Sequence, residues 1–502
     1  MGIDCSRFQK IVLTVLMALL LTPSLAFAAP TKPYSKKLNN YISKTLKKFG
    51  SHTTIGVKVY DVEKGRTIYD YNSSKQMVPA SVVKVLTSVA ALKLLGSNYK
   101  FPTELFVDRL PQQSSNAGNL YVRGYGDPSL VSERLWALVR YIKRLGLKNI
   151  NDIVMDDTLF INPKGPSGHK PYQAGLSATS LNHNCYSLTA VPTQAGKKVR
   201  AYLQDGAPFK LVNTAMTTKG SRIKLILGQN PRSSSLASRK NQPVVLSAKV
   251  PTVNLKGKLG VKAKARTYYR TVPHPPLYFG AMLKYMLEKE GIKVSGSIRK
   301  AETPAHAQLL HLHESRDLAS IVRDLNHYSN NFIAGQILFT LGQDSNGYFR
   351  SDYGLKRIEQ YMAEIGIDSQ TYAIHDGSGL DKKNRLNASQ IVQVLQNAYD
   401  DFAVSPYFIS SLSRFGHTGT LKKRVLNKGM SHTMMNLVRS DLADSVWGKT
   451  GTLTHVSSVA GYAKSSSDST IAYAVLVNGK LSKDTASEIE DKIMKIIIGG
   501  KN

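Results

Sequence analysis

Residues 79–96 read Pro-Ala-Ser-Val-Val-Lys-Val-Leu-Thr-Ser-Val-Ala-Ala-Leu-Lys-Leu-Leu-Gly. From residue 82 to 95 the stretch is apolar on almost every side, and Gly96 closes it. A surface helix keeps a polar face, so this pattern predicts a helix buried at the centre of a domain. Upstream, residues 54–60 alternate like a strand (Ile55, Val57, Val59), residues 61–66 turn, and residues 67–71 return, which predicts a hairpin. Before that, Leu38, Tyr41, Ile42 and Leu46 recur at helical spacing in a Lys-rich segment, as in an amphipathic surface helix.

Downstream, the pattern changes. Between residues 101 and 290 short strand-like runs (120–123, 153–155, 199–203, 223–227, 244–246) alternate with Gly, Pro, Asn and Ser, and a basic alternating run covers 256–270. Helical periodicity returns over 277–290, 317–341 and 353–365. The chain then closes with strand-like segments at 448–454, 459–463 and 471–478 and a helix at 483–498. This order predicts one discontinuous α/β domain, residues 29–100 and 291–502, holding an inserted β-rich domain at 101–290.

The 502 residues exceed what a single core serves, which agrees with more than one domain. A hydrophobic content of 42% with 20% charged residues excludes disordered and collagen-like classes. The 67 Lys and Arg against 34 Asp and Glu leave +33, so the chain suits an anionic partner: nucleic acid, anionic lipid or an acidic wall polymer. Arg7 and Lys10 precede an apolar run over 11–21 and the small-residue site Ala26-Phe27-Ala28, which reads as an export signal over residues 1–28. The run is shorter than a bilayer span, which disfavours a retained anchor. Export through the inner membrane to the periplasm disfavours nucleic acid as partner. Cys5 falls in the leader, so the exported chain keeps Cys185 alone and has no intrachain disulfide.

Ser-x-x-Lys places a nucleophile and its base on one helix face. The string occurs at Ser81–Lys84, Ser97–Lys100, Ser167–Lys170, Ser221–Lys224 and Ser297–Lys300. Only Ser81 opens a buried helix, whose N-terminal N–H groups can polarise a developing oxyanion. Lys84, buried with it, has to be paired or neutral. A neutral amine can take the seryl proton, and both desolvation and a second cation favour that form. Gly448-Lys449-Thr450-Gly451-Thr452, on an expected edge strand, supplies such a cation, a hydroxyl for an anionic substrate end, and a glycine that lets a substrate backbone approach. The third element is His327-Tyr328-Ser329-Asn330-Asn331-Phe332, in which a Ser hydroxyl would relay protons and an Asn amide would hold a substrate carbonyl.

In this order the three elements resemble the active-site serine penicillin-binding proteins and β-lactamases, whose signatures are Ser-x-x-Lys, Ser-x-Asn and Lys-Thr-Gly. The similarity is to the D-alanyl-D-alanine carboxypeptidase/endopeptidase type, which carries a large insertion between its first two motifs. Segments 124–128, 156–160 and 376–380, and Gly419-Thr420-Leu421 with Arg424, are similar too. The resemblance implies a β-lactamase/transpeptidase-like domain, an antiparallel sheet with helices on both faces. It implies Ser81 as nucleophile, Lys84 as base, Ser329 as relay and Asn331 as substrate-amide contact. Lys449 and Thr450 would bind the terminal carboxylate beside Gly451, and the N–H groups of Ser81 and Thr452 would form the oxyanion hole. Peptidoglycan stem peptides are the implied substrate and β-lactams the implied acylating inhibitors, with no metal or cofactor.

Two departures stand out. Tyr328-Ser329-Asn330 also spells the Tyr-x-Asn form of some β-lactamases, one residue out of register with Ser329/Asn331. Gly335 occupies a position where related sequences often place an acid. His417-Thr418-Gly419 imitates the third motif without a following strand pair. His311/His313 and His183/Cys185 lack partners at zinc spacing, and Cys185 reads as a small core residue. The rival functions are a β-lactamase, against which the long insertion argues, and a non-catalytic wall-binding protein. The run 256–270 is open between a solvated face and a contact for anionic glycan or membrane.

Overall fold

Six strands form one antiparallel sheet, in the order Ser413–Arg414, Val446–Leu453, Val456–Lys464, Thr470–Asn478, Thr54–Asp61 and Arg66–Tyr71. The first hairpin of the chain therefore pairs with its last strands: Val57 stands opposite Val475 and Val59 opposite Tyr473. The computed structural model describes residues 33–50, 52–112, 114–229, 244–245, 251–422, 424, 445–465 and 468–498. The leader at 1–28, and Leu246 of an expected strand, lie outside them.

Alternation along Thr470–Asn478 sorts its side chains to two cores. Ile471, Tyr473, Val475 and Val477 face the terminal helices Pro33–Phe49 and Lys483–Ile497, where Leu38, Ile42, Ile489 and Ile493 are buried. Ala472, Ala474 and Leu476 face the second core, built around the helix Val83–Leu95. Small residues there let the helix layer approach closely. Val83 to Leu92 of that helix are all buried, as its all-round apolarity predicts. Helices Leu318–Tyr328, Asn331–Leu341, Ser351–Glu364, Ala388–Asp400 and Ser405–Ser411 pack in this layer.

The periodic run over 317–341 is two helices, Leu318–Tyr328 and Asn331–Leu341, with the polar segment around Ser329 between them. Ser329 adopts a left-handed conformation (φ 53°, ψ 42°), which ends the first helix, and the Asn330 side chain accepts from the N–H groups of Phe332 and Ile333 to start the second. Asn competes well for such a cap, so the polar triplet overrides the apolar period.

The second body has its own core of residues between Leu105 and Ile298. A mixed sheet runs Val244–Val245, Ile298–Lys300, Ile153–Asp156, Leu120–Gly124, Pro102–Val107, Gln308–Glu314. Its last two members past residue 290 matter for the boundary: Ile298–Lys300 pairs with Ile153–Asp156, and Gln308–Glu314 pairs with Pro102–Val107. Helices Ser132–Arg144 and Pro275–Lys289 pack on this sheet, the first an amphipathic helix that the strand-rich reading of this region passed over. The basic run 256–270 divides between two sheets. Thr252–Gly260 pairs with Ile223–Gln229, Met216–Thr218 and Lys210–Asn213, whereas Arg266–Thr271 pairs with Cys185–Val191.

Candidate active site

Ser81 sits in a single 3₁₀ turn, Ala80–Val82, immediately before the buried helix. Ala80 is left-handed (φ 48°), an unfavourable conformation for a residue with a Cβ, and the surroundings impose it. Asn478 exchanges two hydrogen bonds with the backbone of Val78, and the Ser458 hydroxyl donates to the Pro79 carbonyl at 2.6 Å. Against the other side of the turn lies Gly379 (φ 77°), where a Cβ would collide with the Ala80 carbonyl.

Lys84 is fully buried, and its Nζ has three neighbours: Ser81 Oγ at 3.0 Å, Asn331 Oδ1 at 2.7 Å and the Ser378 carbonyl at 2.5 Å. A neutral amine has two N–H donors and one lone pair. The two fixed acceptors, Asn331 Oδ1 and the Ser378 carbonyl, take the donors and leave the lone pair to the Ser81 hydroxyl. Asp376 holds this carbonyl in place by accepting from the N–H groups of Ser378, Gly379 and Asp381. Burial brings the Lys84 ammonium down to about 7, against the opposing attraction of Asp376. Of the two causes expected from the sequence, desolvation and a second cation, desolvation is the main one.

Lys449, also fully buried, donates to Ser329 Oγ at 2.7 Å and to the Thr450 carbonyl at 2.6 Å. Burial lowers its pKa well below that of an ordinary lysine, and the charge of Lys84 lowers it further. The Thr450 hydroxyl donates to Thr420 Oγ1 at 2.7 Å. Beyond Gly448, whose partner is Ser413, the strand Val446–Leu453 has no strand on its outer side among the described residues.

The structure thus brings together Ser81, Lys84, Asn331, Ser329, Lys449 and Thr450. The register at the middle motif follows from contacts: Asn331 faces Lys84, Asn330 is a helix cap, and Tyr328 is exposed. Gly451 has a different reason from the expected one. A Cβ there would collide with Ser458 Oγ and lie 2.8 Å from Pro79 O and 2.9 Å from Ser81 N, so the protein's own backbone needs the space. Thr452 follows it, exposed on the strand. Thr420, Asp376, Ser378 and Gly379 belong to the site as well. They lay in segments noted for resemblance only, because loop residues that act through a carbonyl or a turn leave no spacing pattern. His417-Thr418-Gly419 proves to adjoin the third motif, since Thr420 follows it directly.

A cavity of about 1200 Å³ opens from Ser329 and Asn331 toward the second body, where Trp136, Tyr172 and Tyr285 line it. Cys185 also borders it, 5% exposed, with burial pushing its thiol up to about 12, so it stays protonated. Gly335 packs against Leu176, whose two methyl carbons would lie 2.8 Å from a Cβ. Leucine therefore occupies the space of the side chain that is absent.

Residues 38–497 match the D-Ala-D-Ala carboxypeptidase 3 (S13) family. The chain belongs to that family. A D-alanyl-D-alanine carboxypeptidase of Actinomadura sp. strain R39 is 27% identical over 446 residues, covering 84% of this chain and 77% of that protein. D-alanyl-D-alanine carboxypeptidase DacB of Haemophilus influenzae is 24% identical over 481 residues, covering 93% and 92%. The crystal structure of penicillin binding protein 4 from Haemophilus influenzae shares the fold with a TM-score of 0.71 at 22% identity, covering 91% of this chain and 99% of that one. Its complex with a β-lactam gives a TM-score of 0.69 at 23% identity, covering 92% and 99%. The α/β, transpeptidase-like architecture of the S13 enzymes is the one expected from the sequence.

Proposed function

We propose that this S13 carboxypeptidase hydrolyses D-alanyl-D-alanine ends, and D-alanyl cross-links, of peptidoglycan stems through an ester on Ser81. The contact that carries the reading is Lys84 Nζ at 3.0 Å from Ser81 Oγ, on a lysine that burial brings to about 7. Ser81 Oγ bonds to the carbonyl carbon of the penultimate D-alanine while its proton passes to Lys84 Nζ. The N–H groups of Ser81 and Thr452 take the oxyanion; Ser81 N lies against Gly451, one residue before Thr452. The C–N bond then breaks and the amine leaves with a proton delivered through Ser329. Water adds to the ester and releases the shortened stem, and Ser81 regains its proton. Lys449 and Thr450 hold the terminal carboxylate, Asn331 the substrate amide.

A β-lactam presents an equivalent carbonyl and carboxylate, and it acylates Ser81 with slow release. The protein is exported by residues 1–28 and works in the periplasm, where such substrates are. The catalytic body is assigned to residues 29–100 and 291–502 and the inserted body to 101–290; the pairing of Gln308–Glu314 with Pro102–Val107 supports extending the inserted body as far as Glu314. Two measurements test the reading: labelling by a fluorescent penicillin, and D-alanine release from a pentapeptide stem. Ser81→Ala is expected to abolish both. Persistent labelling or release in that variant would overturn the assignment, and rapid turnover of penicillin without D-alanine release would favour a β-lactamase.

A further inference from the structure

Residues 206–287 contain 15 Lys and Arg and no Asp or Glu. They build most of the sheet around Thr252–Gly260, whose alternation separates two faces. Val253, Leu255 and Leu259 point inward to the core of the second body. Lys256 and Lys258 point outward and are exposed. The pairing extends this outer face across the neighbouring strands. Lys224 stands opposite Lys258, Ile226 opposite Lys256, and Met216 beside Lys258 on the other flank. Val212 stands beside Asn254, with Lys210 next along its strand on the same face.

Like charges directly opposite on adjacent strands are destabilising. Lys224 and Lys258 nevertheless face each other, and neither has a carboxylate within ion-pair distance among the described residues. Ile226, opposite Lys256 and two residues along its strand from Lys224, is 61% exposed, and Val212 and Met216 are exposed as well. A merely soluble face would separate the lysines and bury or replace the isoleucine. Lysine heads at the edge of a protruding apolar side chain are the composition that binds an anionic lipid surface: the cations meet phosphate headgroups while the apolar group enters the acyl boundary. A hydrated anionic polymer would engage the lysines and gain nothing from Ile226.

We infer that the outer face of the sheet formed by Lys210–Asn213, Met216–Thr218, Ile223–Gln229 and Thr252–Gly260 docks the protein on an anionic phospholipid bilayer. Each surface cation near such a membrane raises affinity roughly fivefold, and the attraction is screened by salt. Docking would hold the enzyme beside the membrane.

The test is co-sedimentation of the full exported chain with vesicles of phosphatidylglycerol and phosphatidylcholine, and with vesicles of phosphatidylcholine alone. Binding is expected only to the anionic vesicles. The combined Lys224→Glu, Lys256→Glu and Lys258→Glu variant is expected to bind at least about tenfold more weakly, and Ile226→Ser severalfold more weakly at unchanged charge. Each variant should melt within a few degrees of the parent, which keeps misfolding apart from lost docking. Equal binding to both vesicle types, or unchanged binding of the triple variant, would overturn the inference. Retention on purified peptidoglycan that the triple variant loses, without vesicle binding, would overturn it too and assign the face to the polymer.

Discussion

Asn331 Oδ1 lies 2.7 Å from Lys84 Nζ, across 247 residues of sequence, and fixes one of the two N–H bonds of the neutral amine. The acylation rate of Ser81 should therefore rise with pH through about 7, as Lys84 loses its proton. Asn331→Asp keeps the shape and puts a negative charge against the amine, which favours the protonated form. The midpoint of the rise should move to higher pH, and each unit it moves lowers the rate at pH 6 about tenfold. Stopped-flow acylation by a chromogenic β-lactam between pH 5.5 and 9 reads this directly. A rise left at about 7 in the variant would show that Lys84 is not the titrating base.

Gly379→Ala tests how the serine is positioned. At φ 77° a Cβ is strained, and here it also meets the Ala80 carbonyl, one peptide from Ser81. Relief must come from the turn that carries the nucleophile. Acylation should fall by about a hundredfold or more, since small misplacements of reacting atoms cost that much. The protein should still fold cooperatively, at a cost of about 1–3 kcal/mol for the strained position, so lost acylation is read against an intact melting transition. A variant with native acylation would show that the turn tolerates displacement.

The residues legible in the sequence were those with a spacing rule. Ser81 and Lys84 share a helix face, Lys449 to Gly451 lie on a strand, and the all-round apolar helix between Val83 and Leu95 is as buried as its pattern requires. Illegible were contacts made by folding distant loops together. Thr420 meets Thr450 only because Ser413–Arg414 pairs with Gly448 and Trp447. The Ser378 carbonyl reaches Lys84 only through the turn that Asp376 organises. The pairing of Gln308–Glu314 with Pro102–Val107 has no local signature at all.

Behind the sheet, Arg424 is clamped between Glu490 at 2.6 Å and Asp491 at 2.9 Å. Glu490 is completely buried, and burial raises its carboxyl to about 7 from an ordinary 4.5. A group whose pKa is raised on folding favours the folded state below its unfolded pKa and loses that advantage as pH rises through the folded value. The window here is pH 4.5 to 7. Arg424→Met removes the compensating charge, so the loss should be greatest above the window, on the order of 3–5 kcal/mol at pH 8. At pH 5 Glu490 can take a proton, and the penalty should shrink. Thermal melting of parent and variant at both pH values checks the sign. A larger loss at pH 5 than at pH 8 would refute it.

Thr420→Val isolates the carboxylate end of the site. Thr450 Oγ1 loses its acceptor at 2.7 Å, while valine preserves the bulk. When the substrate carboxylate takes the Thr450 proton, the Thr420 hydroxyl can turn and donate to Thr450 Oγ1; valine removes that support, while Lys449 keeps its bonds to Ser329 and to the Thr450 carbonyl. One neutral hydrogen bond contributes about 1 kcal/mol, so KM for a D-alanyl-D-alanine peptide should rise roughly fivefold with kcat nearly unchanged. The same peptide with an amidated C-terminus offers no carboxylate to that hydroxyl. Its kcat/KM should be similar in parent and variant, so the preference for the free acid narrows. If kcat falls while KM holds, Thr420 acts on the chemical step through Lys449 and Ser329 instead, and its place at the carboxylate end is wrong.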